Sequence, residues 1–185
     1  VDKQWAVKSK DVTGAFLKAD PYKSGELSRP LYLDLGEFAI VAGCSRFRHL
    51  RKSLYGLNDA PVRWQDKFSK TLVSLGYEKS RYDPSCWILY RKECRKKRKL
   101  PSMEEVLDAT EGHYEVYQDE DVLGYVLTHV DDIIYSGDEL VMRRLERKLE
   151  QEYSCVDVDV LREDTPIDFC GKRLEMQLEE TGEFR

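Results

Sequence analysis

Between Leu123 and Gly137 the chain reads Leu-Gly-Tyr-Val-Leu-Thr-His-Val-Asp-Asp-Ile-Ile-Tyr-Ser-Gly, an apolar run interrupted by two adjacent carboxylates. The β-branched and aromatic residues on either side predict two β-strands, with Asp131 and Asp132 where the chain turns between them. Adjacent aspartates repel one another and are poor strand formers. Two arrangements satisfy that constraint. One is a solvated hairpin turn, where Asp is common; the other is a strand junction at which a cation relieves the repulsion.

The first strand is read over residues 4–10, with Trp5 and Val7, running into Asp11, and Val12 to Leu17 predicts a helical turn that stops near Pro21. Ser24-Gly25 introduces a short strand from Pro30 to Leu33. After a break at Gly43 a basic strand runs through Leu50 to a turn at Tyr55-Gly56. The clearest helix comes next: Asn58 or Asp59 caps it, Pro61 suits its first turn and Gly76 follows its end. Trp64, Phe68, Leu72 and Leu75 share one face of it, a stripe that reads as core. Residues 85–90 predict a buried strand, Ser102 and Glu105 have capping-box spacing for a short helix to about Ala109, and Tyr114–Tyr117 predicts a further strand. A second long helix is predicted over 138–153, with Met142, Leu145, Leu149 and Tyr153 on one face. The tail from Phe169 to Phe184 predicts a hairpin around Thr181-Gly182. No repeat, linker or domain boundary interrupts residues 1–185. Strands alternating with two long helices in an antiparallel-compatible order give an α+β fold, with the helices on one face of the sheet.

At 185 residues and 41% hydrophobic, the chain can bury a core as one domain. It has no apolar run long enough to cross a bilayer and no signal-peptide pattern, so no membrane role is expected. Its cysteines, Cys44, Cys86, Cys94, Cys155 and Cys170, include no C-x-x-C pair, which supports neither a zinc knuckle nor a disulfide framework. They read as reduced thiols in an intracellular compartment, with Cys170 a packed hydrophobe. The net charge is −5, but its distribution says more than its sum. Arg46, Arg48, Arg51 and Lys52 surround Phe47 and His49, a cluster able to track a phosphate backbone. Arg91, Lys92 and Arg95 to Lys99 form a second basic block, read as a solvated inserted loop.

Two-metal phosphoryl transfer requires carboxylates converging on one point, because two cations about 3.5–4 Å apart must be held together. Magnesium takes oxygen ligands, from few carboxylates plus substrate phosphates. Asp131 and Asp132 supply two such groups, and Asp11, at the end of the first strand, is the natural third. Small residues follow it in Val-Thr-Gly-Ala-Phe16, where a phosphate can approach backbone amides and Phe16 can sit beneath a sugar.

Asp11-Val-Thr-Gly-Ala-Phe-Leu17, Ser53-Leu-Tyr-Gly-Leu-Asn-Asp-Ala-Pro-Val-Arg-Trp64 and His129-Val-Asp-Asp132 occur in this order. Together they resemble the reverse transcriptase (RNA-directed DNA polymerase) domain of copia-type LTR retrotransposon polyproteins, whose patterns are D-V-x-x-A-F, S-L-Y-G-L-x-x-A-P-x-x-W and Y-V-D-D. Leu75-Gly-Tyr77, Tyr82-Asp-Pro84 and Phe169-Cys-Gly171 extend the resemblance over nearly the whole chain. The long motif is highly specific; a paired aspartate alone is not.

The resemblance implies a polymerase palm, an antiparallel sheet with helices packed on one face, plus partial fingers. It implies that Asp11, Asp131 and Asp132 are the catalytic acids. Asp11 and Asp131 would be the principal ligands of two Mg²⁺ ions (Mn²⁺ is an alternative), Asp132 the less engaged third acid, and Val12 would add its carbonyl. Gly14 and Ala15 would offer amides to the incoming triphosphate, and Phe16 would exclude the ribose 2′-hydroxyl. Tyr55 and Gly56 would line the nucleotide pocket, the glycine permitting close approach. His129, Phe169, Cys170 and Gly171 would contact nucleic acid at the primer end. The implied reaction is attack by a primer 3′-hydroxyl on the α-phosphate of a dNTP. Implied partners are an RNA or DNA template-primer, dNTPs and the remainder of the Pol polyprotein, in a cytoplasmic virus-like particle or the nucleus.

The chain departs from the family pattern at His129, where the family has Tyr; a histidine there brings a titratable ring beside the acids. The loop between Tyr90 and Tyr114 is longer and more basic than the family's. Val1 is not Met, so the sequence reads as a piece of a longer chain. Upstream fingers, thumb and RNase H are absent from it, and weak or no activity is expected of the piece alone. Two other readings stay open: a non-catalytic remnant that keeps the palm fold, and an α+β binding domain whose aspartates are only turn residues.

Overall fold

The computed structural model describes residues 5–27, 29–91, 121–155 and 157–176. The predicted helix at Ser102–Ala109, the strand at Tyr114–Tyr117, the basic block beyond Arg91 and the turn at Thr181-Gly182 lie outside those residues. In chain order the strands are β1 (Val7–Asp11), β2 (Tyr32–Asp34), β3 (Phe47–His49), β4 (Glu78–Lys79), β5 (Cys86–Tyr90), β6 (Val122–His129), β7 (Asp132–Gly137), β8 (Asp159–Val160), β9 (Ile167–Phe169) and β10 (Lys172–Leu174). A 3-10 turn at Ala15–Lys18 follows β1, and the helices are α1 (Phe38–Val41), α2 (Ala60–Leu75) and α3 (Glu139–Glu152). Six strands form one antiparallel sheet in the order β4-β5-β6-β7-β1-β8, while β2-β3 and β9-β10 make separate ribbons. The chain is mixed α+β.

Alternation along the strands sorts side chains between two faces. Trp87, Leu89, Val126, Ile133 and Tyr135 meet Trp64, Phe68, Leu72, Met142, Leu145, Leu149 and Tyr153 in a single core. Both long helices thus cover one face of the sheet. α2 ends where Gly76 takes φ 95°, so that the N–H groups of Gly76 and Tyr77 return to the carbonyls of Val73 and Leu72. Asp59 occupies the N-cap position of α2 but does not cap it; its carboxylate accepts a 3.0 Å hydrogen bond from the Tyr22 hydroxyl instead. α3 is capped by Asp138, which accepts from the Leu140 N–H at 3.0 Å.

Polar groups on the covered face are satisfied by α3. The Lys8 ammonium lies 2.9 Å from Glu146, which also accepts from the Tyr135 hydroxyl, and Lys10, its side chain 3% exposed, pairs with Glu150. Three elements were not read from the sequence: α1, β4 and β8, each too short to show a period. A hairpin not read from the sequence turns at Cys170-Gly171, with Ile167 and Leu174 the apolar pair in register across it. Cys44, Cys86, Cys155 and Cys170 are free thiols. Among the described residues no helix is long and apolar enough to cross a membrane.

Close backbone approach decides one position. Gly137 sits opposite Gly124, and a Cβ there would lie 2.6 Å from the Leu123 carbonyl oxygen and 2.7 Å from the Gly124 Cα. Backbone atoms inside a sheet cannot step aside. Gly137→Ala is expected to lower stability by on the order of 1–3 kcal/mol, the range for overpacking, read as a shifted midpoint in urea with an unchanged slope.

Candidate metal and nucleotide site

The register of β1 on β7 sets Asp11 opposite Asp132, and that of β6 on β7 sets His129 opposite the same residue. Directly opposed residues share a face. Asp132 alternates with the core-facing Ile133 and Tyr135, so this face is the one turned away from α2 and α3. Only Asp131 lies in the turn, which consists of Val130 and Asp131. Both acids are expected in the turn from sequence, but pairing with Asp11 and His129 draws Asp132 into β7 as its first residue.

Carboxylate oxygens of Asp11, Asp131 and Asp132 all lie within 4.8 Å of one another, and each residue is half-buried. Two unit charges about 4 Å apart near a protein surface repel by roughly 4 kcal/mol. The Asp11 carboxyl is accordingly pushed above its ordinary value, first by desolvation and then by the charges of Asp131 and Asp132. Among the described residues no Lys or Arg forms an ion pair with any of the three. An uncompensated set of hard oxygen donors is the kind that suits Mg²⁺ or Mn²⁺.

The backbone around the turn is anchored from two sides. The Val12 N–H donates to the Asp131 carbonyl at 3.1 Å, and the Trp64 indole Nε1–H donates to the Val130 carbonyl at 2.5 Å. Val130 itself takes φ 56°, a conformation uncommon for a β-branched residue.

The other predicted site residues group as follows. Gly14, at φ 67°, opens the 3-10 turn, and Ala15 is buried in the core. The Val12 side chain is likewise fully buried. Phe16 and Tyr55 meet with ring centroids 4.8 Å apart, and the buried Ser53 hydroxyl donates to the Phe16 carbonyl at 3.4 Å. That bond ties the Ser53–Gly56 loop to the turn after β1. Gly56 takes φ 89° with open space where a Cβ would be; among the protein's own atoms its need for glycine is conformational.

β9 packs against β1 and β7, which brings the β9–β10 ribbon onto the open face beside the acids. Its turn has Cys170 at φ 53° and Gly171 at φ 69°, the backbone of a tight two-residue hairpin loop. Cys170 is exposed, not packed as the sequence suggested. Its thiol is pushed up by desolvation and, to a lesser degree, by the charge of Asp132. In the basic cluster Arg46 is engaged by Asp34, whose carboxyl it holds down at about 2, while Arg48, Arg51 and Lys52 are exposed.

No protein-family model matches the chain, and no solved structure does. Two curated proteins of Arabidopsis thaliana are similar to it. One is the retrovirus-related Pol polyprotein from transposon RE1, 26% identical over 163 residues, covering 87% of this chain and 9% of that protein. The other is the retrovirus-related Pol polyprotein from transposon RE2, 25% identical over 143 residues, covering 77% of this chain and 8% of that protein. The likeness is to retrotransposon Pol. It supports a retrotransposon Pol origin for a chain that spans less than a tenth of the length of these relatives.

Sequence reasoning missed the indole–turn bond. Trp64 was assigned to the core from its spacing, and nothing in that spacing says where its N–H goes.

The raised Asp11 value carries a sign. Such a carboxyl binds its proton more tightly in the fold than in the unfolded chain, so stability declines as pH rises from 3.8 through the raised value. Asp11→Asn without divalent cation is expected to melt a few degrees above the native chain at pH 7. The gap should close as pH falls below the ordinary carboxylate range. Circular dichroism melts check this; a variant less stable than native at pH 7 would contradict the repulsion.

Proposed function

We propose that this chain is the palm and part of the fingers of an RNA-directed DNA polymerase from a copia-type retrotransposon. Asp11, Asp131 and Asp132 would hold two Mg²⁺ ions, with the Val12 carbonyl offered as a further ligand. The observation that carries this reading is the meeting of three carboxylates, from the end of β1, the β6–β7 turn and the start of β7. The order of motifs and the likeness to retrotransposon Pol support it. When bound, the ions supply Lewis-acid charge stabilisation at the reacting phosphate.

The remaining roles follow from the chain's own groups. The 3-10 turn after β1 presents Gly14 and Ala15 to the triphosphate of a dNTP. Phe16, braced by Tyr55, closes the space beside the sugar 2′ position, and Gly56 leaves room along the same wall. His129 and the Phe169–Gly171 turn flank the acids and orient the primer end. The primer 3′-oxygen forms its bond to the α-phosphorus as the bond to the β-phosphate breaks; pyrophosphate leaves and the hydroxyl proton passes to solvent. Alignment and fixed charge supply the rate, as in phosphoryl transfer generally. Exposed Arg48, Arg51 and Lys52 track the template-primer backbone, and the rest of the Pol polyprotein is the physical partner.

Primer extension on an RNA template with Mg²⁺, using the chain in its Pol context, tests the reading. Asp131→Asn is expected to reduce extension by about a hundred- to a thousandfold, the scale of losing a principal electrostatic group. Extension that survives the change would remove Asp131 from the site. Absence of extension in the native protein, with Mg²⁺ still bound, would favour a non-catalytic remnant. Phe16→Ala is expected to relax discrimination against ribonucleotides by roughly tenfold or more, measured as the ratio of rNTP to dNTP incorporation; an unchanged ratio would take Phe16 out of the pocket.

A further inference from the structure

We infer that Trp64 is a positioning residue for Asp131: its indole N–H anchors the peptide that precedes Asp131 and so aims that carboxylate at Asp11 and Asp132. The inference rests on the proposed cation-binding role of the three acids.

Asp11 and Asp132 are directed by the sheet, since they are a pair in the β1–β7 register. Asp131 is not. The last rung between β6 and β7 joins His129 to Asp132, leaving Val130 and Asp131 outside the ladder. The direction of the Asp131 Cα–Cβ bond therefore depends on the two peptides that flank it. Both are held, each by a different part of the fold. The carbonyl of the following peptide accepts from the Val12 N–H at 3.1 Å, and the carbonyl of the preceding one accepts from Trp64 Nε1 at 2.5 Å. One anchor comes from the strand end that carries Asp11. The other comes from α2, on the opposite side of the sheet.

The turn also needs holding. Val130 has φ 56°, and a non-glycine residue in so sparsely populated a backbone region persists only where its surroundings over-determine it. Val130 is exposed and borders a half-open pocket of about 180 Å³ whose lining includes Pro61, Trp64, Phe68, Trp87 and Thr128. The hydrogen bond from Trp64 is the directional restraint on its carbonyl.

The competing view is that Trp64 is only core. It is 2% exposed and packs against Phe68 and Tyr153 with ring centroids 5.3 and 5.2 Å away. Those contacts use the ring; the N–H is separable from them. Trp64→Phe retains an aromatic ring and removes the donor.

The test is Mn²⁺ titration of the native chain, Asp131→Asn and Trp64→Phe, by calorimetry or by the electron paramagnetic resonance of free Mn²⁺. Urea unfolding of each is measured separately. Native chain should bind, Asp131→Asn should lose most of the affinity, and folded Trp64→Phe should bind roughly 10–100-fold more weakly, the scale found when a group orienting a ligand is removed. A purely structural Trp64 would lower the urea midpoint and leave Mn²⁺ affinity unchanged; with Asp131→Asn impaired, that result overturns this inference and spares the site. If the native chain does not bind, or Asp131→Asn binds as well as native, the cation site and this inference fall together. Should Trp64→Phe not fold, the native chain decides through its ¹⁵N-indole resonances. The Trp64 cross-peak, assigned by contacts to Phe68 and Tyr153, should move on Mg²⁺ addition, and a stationary peak while Mg²⁺ binds would refute the coupling.

Discussion

Sliding β1 by one residue along β7 would turn Asp11 from the open face into the core, because side chains in a strand alternate with a period of two. The rung between Asp11 and Asp132 is therefore the constraint on which the arrangement depends. Several features make that slip costly. Val12, just past the strand, is fully buried, and Lys8 and Lys10 reach Glu146 and Glu150 on α3 only in the observed register. Ile133 and Tyr135 fill the core on the partner strand. The slip would carry Val12, Lys8 and Lys10 away from the helices and bury the Asp11 carboxylate without a partner, forfeiting both ionic and apolar contributions.

Held by that register, the three acids sit in a locally unfavourable state. Like charges crowd together, Asp11 is partly desolvated, and the turn that carries Asp131 includes a β-branched residue at positive φ. Strain of this kind survives only where surrounding structure enforces it. Here the enforcing structure is the sheet on one side and α2, through Trp64, on the other. The proposed cations would offset the repulsion. The same strands that position the acids, β1 and β7, also receive β9.

Much of this was readable in the residues alone. The stripe Trp64, Phe68, Leu72 and Leu75 lies on the buried side of α2, and the stripe Met142, Leu145, Leu149 and Tyr153 on that of α3. Asp11 stands at the end of the first strand, and it meets Asp131 and Asp132. The misreadings share one cause, competition between local signals and distant partners. Asp59 has the chemistry of a cap, but Tyr22 claims its carboxylate. Asp132 is a poor strand former, yet pairing on both sides keeps it in β7. Cys170 is a common core residue in general, and here it occupies a turn because the apolar register is set by Ile167 and Leu174.

Periodicity, caps and motif order are properties of a few neighbouring residues, and these told which segments are helix or strand, which faces are apolar, and which acids deserve notice. Which strand lies beside which, where the indole proton of Trp64 goes, and how the Asp131 carboxylate is aimed were settled only by packing. Those outcomes depend on groups brought together from remote parts of the chain. No local spacing encodes the hydrogen bond that α2 sends across the core to the turn between β6 and β7.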